Sequence, residues 1–310
     1  MITSRRATLF LLAAGAASAA GALTACGRRP DEAATGTAPR VVSLSPSTTE
    51  AAFVVGAGAT LVGRSRYCDY PEDAARLPAV GGYADPSLES ILALRPTLVI
   101  GARGPAGPAL EGALHAQGID TFFPETESLA QITSMLTELG RRLAAGPFAA
   151  QAIAHIHERR AAVEAAVRDR PRVRVALLFD TAPIVAAGPH GFPDELIRLA
   201  GGENVITRGG AYPTLGIEAL LALDPEVLLD GATEAHDGTP TASRLLSLRD
   251  SPGFRELKAM REGRVRPLRS AAALRPGPRI GEGLVALACA IHGDDLAIAS
   301  PPPSSPQATP

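Results

Sequence analysis

The chain has 310 residues, and its 30 Lys and Arg are set against 32 Asp and Glu for a formal net charge of −2. That near balance leaves no sequence-wide basic field, so a nucleic-acid partner is not expected. Trp is absent and aromatic residues make up 4% of the chain, which argues against an aromatic-lined sugar cleft.

Residues 1–25 read as an export signal. Arg5 and Arg6 supply the positive start, and a run built almost wholly of Ala, Leu and Gly extends from Ala7 to Ala22. That run is too short and too Ala/Gly-rich for a membrane span, which takes about 20 strongly apolar residues. It ends in Leu23-Thr24-Ala25-Cys26, which resembles a bacterial lipobox and makes Cys26 the expected lipidation site. Ser4-Arg5-Arg6 leaves general and twin-arginine export both open. Residues 26–39 read as a flexible tether, and residues 299–310, mostly Pro and Ser, as a disordered tail.

What lies between is roughly 260 residues, enough for two modest domains with their own cores. Two stretches match each other. Ser87-Leu-Glu-Ser-Ile-Leu-Ala-Leu-Arg-Pro-Thr-Leu-Val-Ile100 parallels Gly216-Ile-Glu-Ala-Leu-Leu-Ala-Leu-Asp-Pro-Glu-Val-Leu-Leu229. In each, apolar residues fall at helical spacing, a proline (Pro96, Pro225) ends the helix, and a short apolar run reads as a buried strand. Two copies of this unit predict two similar lobes.

Arg40 to Leu44 reads as the first strand, followed by a Ser45-Pro46-Ser47 turn. Thr48 or Thr49 is the expected cap of a helix from Glu50 to Val55. Val173 to Phe179 reads as the matching strand of the second half. From Pro147 to Arg170, Ile153, Ile156, Val163 and Val167 recur at helical spacing, with no Gly or Pro between Phe148 and Asp169. This predicts one helix of about six turns, roughly 30 Å long.

The expected fold is therefore α/β: two Rossmann-like lobes with mostly parallel sheets, joined by one long bridging helix. The boundaries are an N-terminal lobe over 40–146, the helix over 147–170 and a C-terminal lobe over 171–298. A stiff helical bridge limits hinge closure.

Catalytic chemistry finds little support. Cys68 and Cys289 fall in different halves without disulfide or metal-site spacing. The six histidines are scattered, and His155 and His157 lie two apart on a helix, on different faces. No Gly-x-Gly-x-x-Gly follows the first strand, no Walker sequence is present, and Ser45-Pro46-Ser47 is unlike a Gly-x-Ser-x-Gly elbow. No catalytic residue, resident metal or cofactor is assigned, and enzymatic activity is not expected.

Several stretches carry a family resemblance: Val42-Ser-Leu-Ser-Pro46 with Thr49-Glu50, Tyr67-Cys-Asp-Tyr-Pro71, Leu88-Glu89 with Leu94-Arg95-Pro96, Gly201-Gly-Glu-Asn204, and Pro278-Arg-Ile280. In order and spacing the chain resembles the class III substrate-binding proteins of ABC importers, which serve cobalamin, haem and ferric siderophores. The resemblance implies a periplasmic, lipid-anchored monomer that holds a metal chelate between its lobes and delivers it to a permease dimer. A corrinoid is the first expectation, with haem or a ferric siderophore as alternatives.

The likeness makes Tyr67 a ligand contact, and pairs Glu89 with Glu203, one per lobe, as carboxylates that dock on permease arginines. The internal repeat would pair Glu89 with Glu218 instead, so both stay candidates. One departure stands out: cobalamin binders carry an aromatic before Pro-Arg-Ile, where this chain has Ser270-Ala-Ala-Ala-Leu-Arg-Pro-Gly-Pro278. Tyr83, Phe192 and Tyr212 are candidates to supply that contact, and Arg275 to face a ligand carboxylate. His190, in Gly188-Pro-His-Gly191, is the best-placed histidine for an axial bond to haem iron.

Overall fold

The structure is a computed structural model that describes residues 39–103, 107–231, 248–268, 270–293 and 296–298. The expected signal segment, Cys26, the tether up to residue 38 and the tail from residue 299 lie outside the described residues. Strands β1 (Val41–Ser43), β2 (Leu61–Arg64), β3 (Leu98–Ile100) and β4 (Asp120–Phe122) form a parallel sheet in the order β2-β1-β3-β4. Helices α1 (Pro46–Val54), α2 (Glu72–Ala75), α3 (Leu88–Ala93), α4 (Gly107–His115) and α5 (Leu129–Arg142) connect and cover it.

Helix α6 (Gly146–Val167) then leads to a second sheet. Its strands are β5 (Val173–Thr181), β6 (Ile184–Ala186), β7 (Gly202–Asn204), β8 (Thr214–Leu215), β9 (Val227–Asp230) and β10 (Val265–Pro267). The order is β10-β9-β5-β6-β8, with β7 paired to the start of β5. Helices α7 (Phe192–Leu199), α8 (Ile217–Leu223), α9 (Lys258–Arg261) and α10 (Ile280–His292) complete this lobe. The expectation of mostly parallel sheets holds, with one antiparallel edge: β6 runs antiparallel to β5, and β8 antiparallel to β6. Only Ala182 and Pro183 separate β5 from β6, and a connection that short returns a strand antiparallel.

The central strands β1, β3 and β9 and the middle of β5 are buried on both faces, which is why they read as continuous apolar runs. Side chains alternate along each strand. Val41, Leu98 and Ile100 face one core, while Val42 and Val99 face another. In the second lobe, Val175, Leu177, Val227 and Leu229 face that same first core, while Ala176, Leu178 and Leu228 face a third. The first core is therefore common to both lobes, and α6 is part of it. Its buried stripe is Ala149, Ile156, Arg159, Val163 and Val167, and it packs on α5 from one side and α10 from the other. At 22 residues the helix is about 33 Å long. A rod with one continuous core along it resists bending, because any rotation of one lobe against the other breaks close-packed contacts.

The repeat folds alike in both copies. α3 and α8 both stop ahead of a proline, which disfavours right-handed helical backbone at the residue before it. Arg95 (φ 48°) and Asp224 (φ 39°), the residues before Pro96 and Pro225, both turn left-handed. One local expectation is corrected. The cap of α1 is Ser45, whose Oγ accepts from the Thr48 N–H, and Pro46 occupies the first turn, where its missing N–H is not needed. Thr48 and Thr49 are fully buried inside the helix instead. Cys68 and Cys289 are unbridged.

Candidate functional site

The parallel strands of both sheets point their C-terminal ends towards the gap between the lobes, the position where open α/β sheets bind ligands. Segments that follow strand C-termini meet across it, and the contacts fall into two groups at the two ends of the cleft.

At the first end the contacts are ionic. Glu50 of α1 is 2% exposed and accepts from Arg279 Nε at 2.7 Å and Nη2 at 2.8 Å, and from Arg275 Nη1 at 3.3 Å. Arg275 reaches further to Asp69, with 2.6 Å and 3.1 Å bonds to its two oxygens. These paired bonds fix orientation as well as adding attraction. The Arg279 guanidinium lies 3.8 Å from the centre of the Tyr70 ring, a stacked cation–π contact. The Arg275 hydrogen bonds and its charge hold the Asp69 carboxyl below its usual range.

At the second end the contacts are uncharged on one side. Glu127, in the loop between β4 and α5, accepts from the Tyr212 hydroxyl at 3.1 Å and from the Phe192 N–H at 3.4 Å. Glu195 of α7 accepts the Leu129 N–H at 2.8 Å across the same gap. Tyr212 also packs against Phe179, with ring centres 5.7 Å apart. Burial raises the Tyr212 phenol, and the Glu127 charge and hydrogen bond push it further up. Tyr83, on the opposite lobe, is raised by burial and by the same Glu127 charge. Tyr83 donates to the Arg103 carbonyl oxygen. Below it a cavity of about 10 Å³ is lined by Leu44, Pro86, Ala102, Leu110 and Phe123. That is room for a water at most, so the wall at Tyr83 offers a ligand a surface rather than a hole to enter.

The loops at this end are fitted to each other by glycine. A Cβ on Gly188 would meet the Gly210 carbonyl oxygen at 2.0 Å, and the Gly188 N–H donates to the Ala211 carbonyl at 2.9 Å. The loop carrying His190 therefore lies directly beside the loop carrying Tyr212. His190 is exposed, with a left-handed φ of 71°.

The structure thus brings Tyr83, Tyr212 and His190 to one end of the cleft. Tyr67, 54% exposed, stands in the loop after β2 with the Arg66 guanidinium 5.8 Å from its ring centre. Arg275 reaches the cleft but is bound by Asp69 and Glu50, so its expected role towards a ligand carboxylate is already filled by protein acids. Phe192 is buried in the common core and offers its backbone rather than its ring.

Glu89 stands exposed in the first turn of α3, and Glu218 holds the same place in α8. Both helices run antiparallel into the following strand, so both carboxylates sit on the cleft-side rim. Glu203 does not match them. It lies in β7 opposite Arg174, 3.8 Å from that guanidinium, at the edge where β5 begins and away from the cleft. Among the described residues, no group of three or more His, Cys, Asp or Glu is arranged to hold a metal ion.

Sequence reading missed Glu50, Asp69 and Arg279 as partners, and Glu127 altogether. A signal existed for Glu50: a charged residue inside an otherwise small and apolar helix, Thr48-Thr-Glu-Ala-Ala-Phe53. None existed for Glu127, in a polar loop.

The periplasmic binding protein family matches residues 41–272. The chain belongs to that family. It is a solute-binding component of transport rather than an enzyme, working in the periplasm and delivering its ligand to an ABC transporter permease. The binding protein is 34% identical over 203 residues to the vitamin B12-binding protein of Yersinia pestis (strain Pestoides F), which covers 64% of this chain and 71% of the relative. Among solved structures it is similar to the periplasmic heme-binding protein RhuT from Roseiflexus sp. RS-1, with a TM-score of 0.72 and 28% identity. That match covers 83% of this chain and 98% of the other. It is also similar to the periplasmic vitamin B12-binding protein BtuF of Vibrio cholerae, with a TM-score of 0.68, 26% identity, and coverage of 82% and 96%.

Proposed function

We propose that this binding protein captures a corrinoid between its lobes and hands it to its permease while tethered to the cell envelope through a lipid on Cys26, acting as a monomer. The observation that carries the reading is the pairing of exposed tyrosines from opposite lobes, Tyr67 and Tyr83 on one and Tyr212 on the other, on a cleft clasped at both ends. A phenol offers a flat apolar face to a macrocycle and an O–H at its rim. The vitamin B12-binding relatives support the same choice of ligand. The stiff α6 keeps the protein's closure small, so the cleft receives a rigid cargo without folding over it.

Calorimetric titration of the purified protein with cyanocobalamin, haemin and a ferric siderophore tests this. Binding of cyanocobalamin above the other two is expected, and no heat with cyanocobalamin overturns it. Haem is the second reading, favoured by exposed His190 beside Tyr212 and by the likeness to a heme-binding protein. It requires a shift of the haemin absorption band that His190→Ala abolishes.

For delivery, the repeat and the rim geometry support Glu89 with Glu218 as the permease-docking pair. Reversing both charges to Arg is expected to abolish transport in reconstituted vesicles while leaving ligand affinity unchanged. Equal loss of both would contradict the role.

A further inference from the structure

The rim of the cleft carries charge in an uneven way that bears on which cargo it accepts. Four arginines near the expected ligand contacts face a carboxylate. Arg66 pairs with Asp85 at 2.8 Å, Arg103 with Glu125 at 2.8 Å, and Arg275 and Arg279 with Asp69 and Glu50. Glu127 is different: its partners among the described residues are the Tyr212 hydroxyl and the Phe192 N–H, with no cation. It is held in place, because its own N–H donates to Gln131 Oε1 at 2.8 Å and Ser128 caps α5 immediately after it. A carboxylate accepts about four hydrogen bonds, so about two lone-pair directions remain for the cleft. Tyr83 on one wall and Tyr212 on the other both feel its charge.

From this arrangement, and resting on the corrinoid reading above, we infer that Glu127 is a specificity residue: it accepts hydrogen bonds from amide N–H groups on the rim of a macrocyclic cargo and repels cargo whose rim carries carboxylates. A buried acceptor left unpaired, or a like charge brought beside it, is the usual means by which a site rejects the wrong partner. A corrinoid rim bears neutral amides, whereas a haem rim bears two propionates, so the same carboxylate separates the two classes of chelate.

The test compares cyanocobalamin with derivatives in which one peripheral amide is hydrolysed to the acid, titrated into the full-length protein and its Glu127→Gln variant. Glutamine keeps one acceptor oxygen for Tyr212 and Phe192, removes the charge, and puts an NH2 donor in place of the second oxygen. Wild type is expected to bind the amide form about tenfold or more tighter than the acid whose carboxylate reaches this end of the cleft. Glu127→Gln is expected to bring the two within about twofold of each other while still binding the amide form. An unchanged ratio in the variant, or no discrimination by wild type across the set of acids, overturns the inference and leaves corrinoid carriage standing. If wild type binds no corrinoid, the functional reading itself fails, and haemin with its dimethyl ester becomes the probe. Glu127→Gln must then tighten haemin without tightening the ester. If it does not, the inference falls too. Arg208, exposed on the loop that carries Tyr212, supplies a control. Preference for the acids that Arg208→Gln removes would assign the rim to carboxylate recognition and refute the proposal.

Discussion

At one end of the cleft, Glu50 and Asp69 meet Arg275 and Arg279, acid against base, with every bond directed from one lobe to the other. At the opposite end, Glu127 meets a phenol and a backbone N–H. Glu50 is 2% exposed, and desolvating its charge is repaid only by its arginine partners. That end is consequently committed to holding the lobes in register and has little left for a ligand. Glu127 sits half-buried with acceptor capacity to spare. Two clasps that look alike in a contact map thus have separable roles, one structural and one selective.

The largest expected effect comes from breaking the ionic clasp. Glu50→Ala strands Arg279 and Arg275 without their shared buried partner and is expected to cost about 3–5 kcal/mol, read as a lower urea midpoint with unchanged slope. Should Glu50→Ala leave stability intact but abolish binding, the division of roles is wrong.

Next, Tyr212→Ala is expected to weaken ligand binding about tenfold, since an aromatic face and its edge contact with Phe179 are lost together, with a smaller effect on unfolding. Tyr212→Phe keeps the ring and loses only the hydroxyl to Glu127, a bond within the protein worth about 1 kcal/mol of stability, so its Kd is expected to stay within about twofold of wild type. The difference between these two variants separates stacking from the hydrogen bond.

The smallest effect is at Asp69. Its folded-state carboxyl is depressed by Arg275, so its contribution is present above the unfolded carboxylate range and is lost as pH falls through the lower folded value. Wild type is therefore expected to lose slightly more stability than Asp69→Asn between about pH 5 and pH 2. With the side chain 63% exposed, the difference is at most about 1 kcal/mol. It is measured as converging Tm values on acidification, and parallel curves would remove Asp69 from the clasp.

Much of the scaffold was legible because it rests on periodic signals. The bridging helix was readable from Ile153, Ile156, Val163 and Val167, and it begins one residue earlier and ends three earlier than the span read from the sequence. The helix–proline–strand repeat foretold where both helices stop, ahead of Pro96 and Pro225, while the left-handed turns at Arg95 and Asp224 were seen only in the structure. The cap of α1 was misplaced because Thr and Ser are equally suited to the role, and only the proline after Ser45 distinguishes them. Tyr83 and Tyr212 were named as separate candidates, but nothing along the chain set them on opposite walls near one carboxylate.

Local order, lobe count and the stiff connection between the lobes follow from the sequence alone, because hydrophobic spacing and proline act on neighbours within a few residues. Which charges meet across the gap was decided by the tertiary structure: Glu50 and Arg279 are 229 positions apart, and Glu127 and Tyr212 are 85. A carboxylate carries no mark of its partner. It becomes a clasp or a selector only when folding determines whether a guanidinium or a phenol stands opposite, and how much water is left between them.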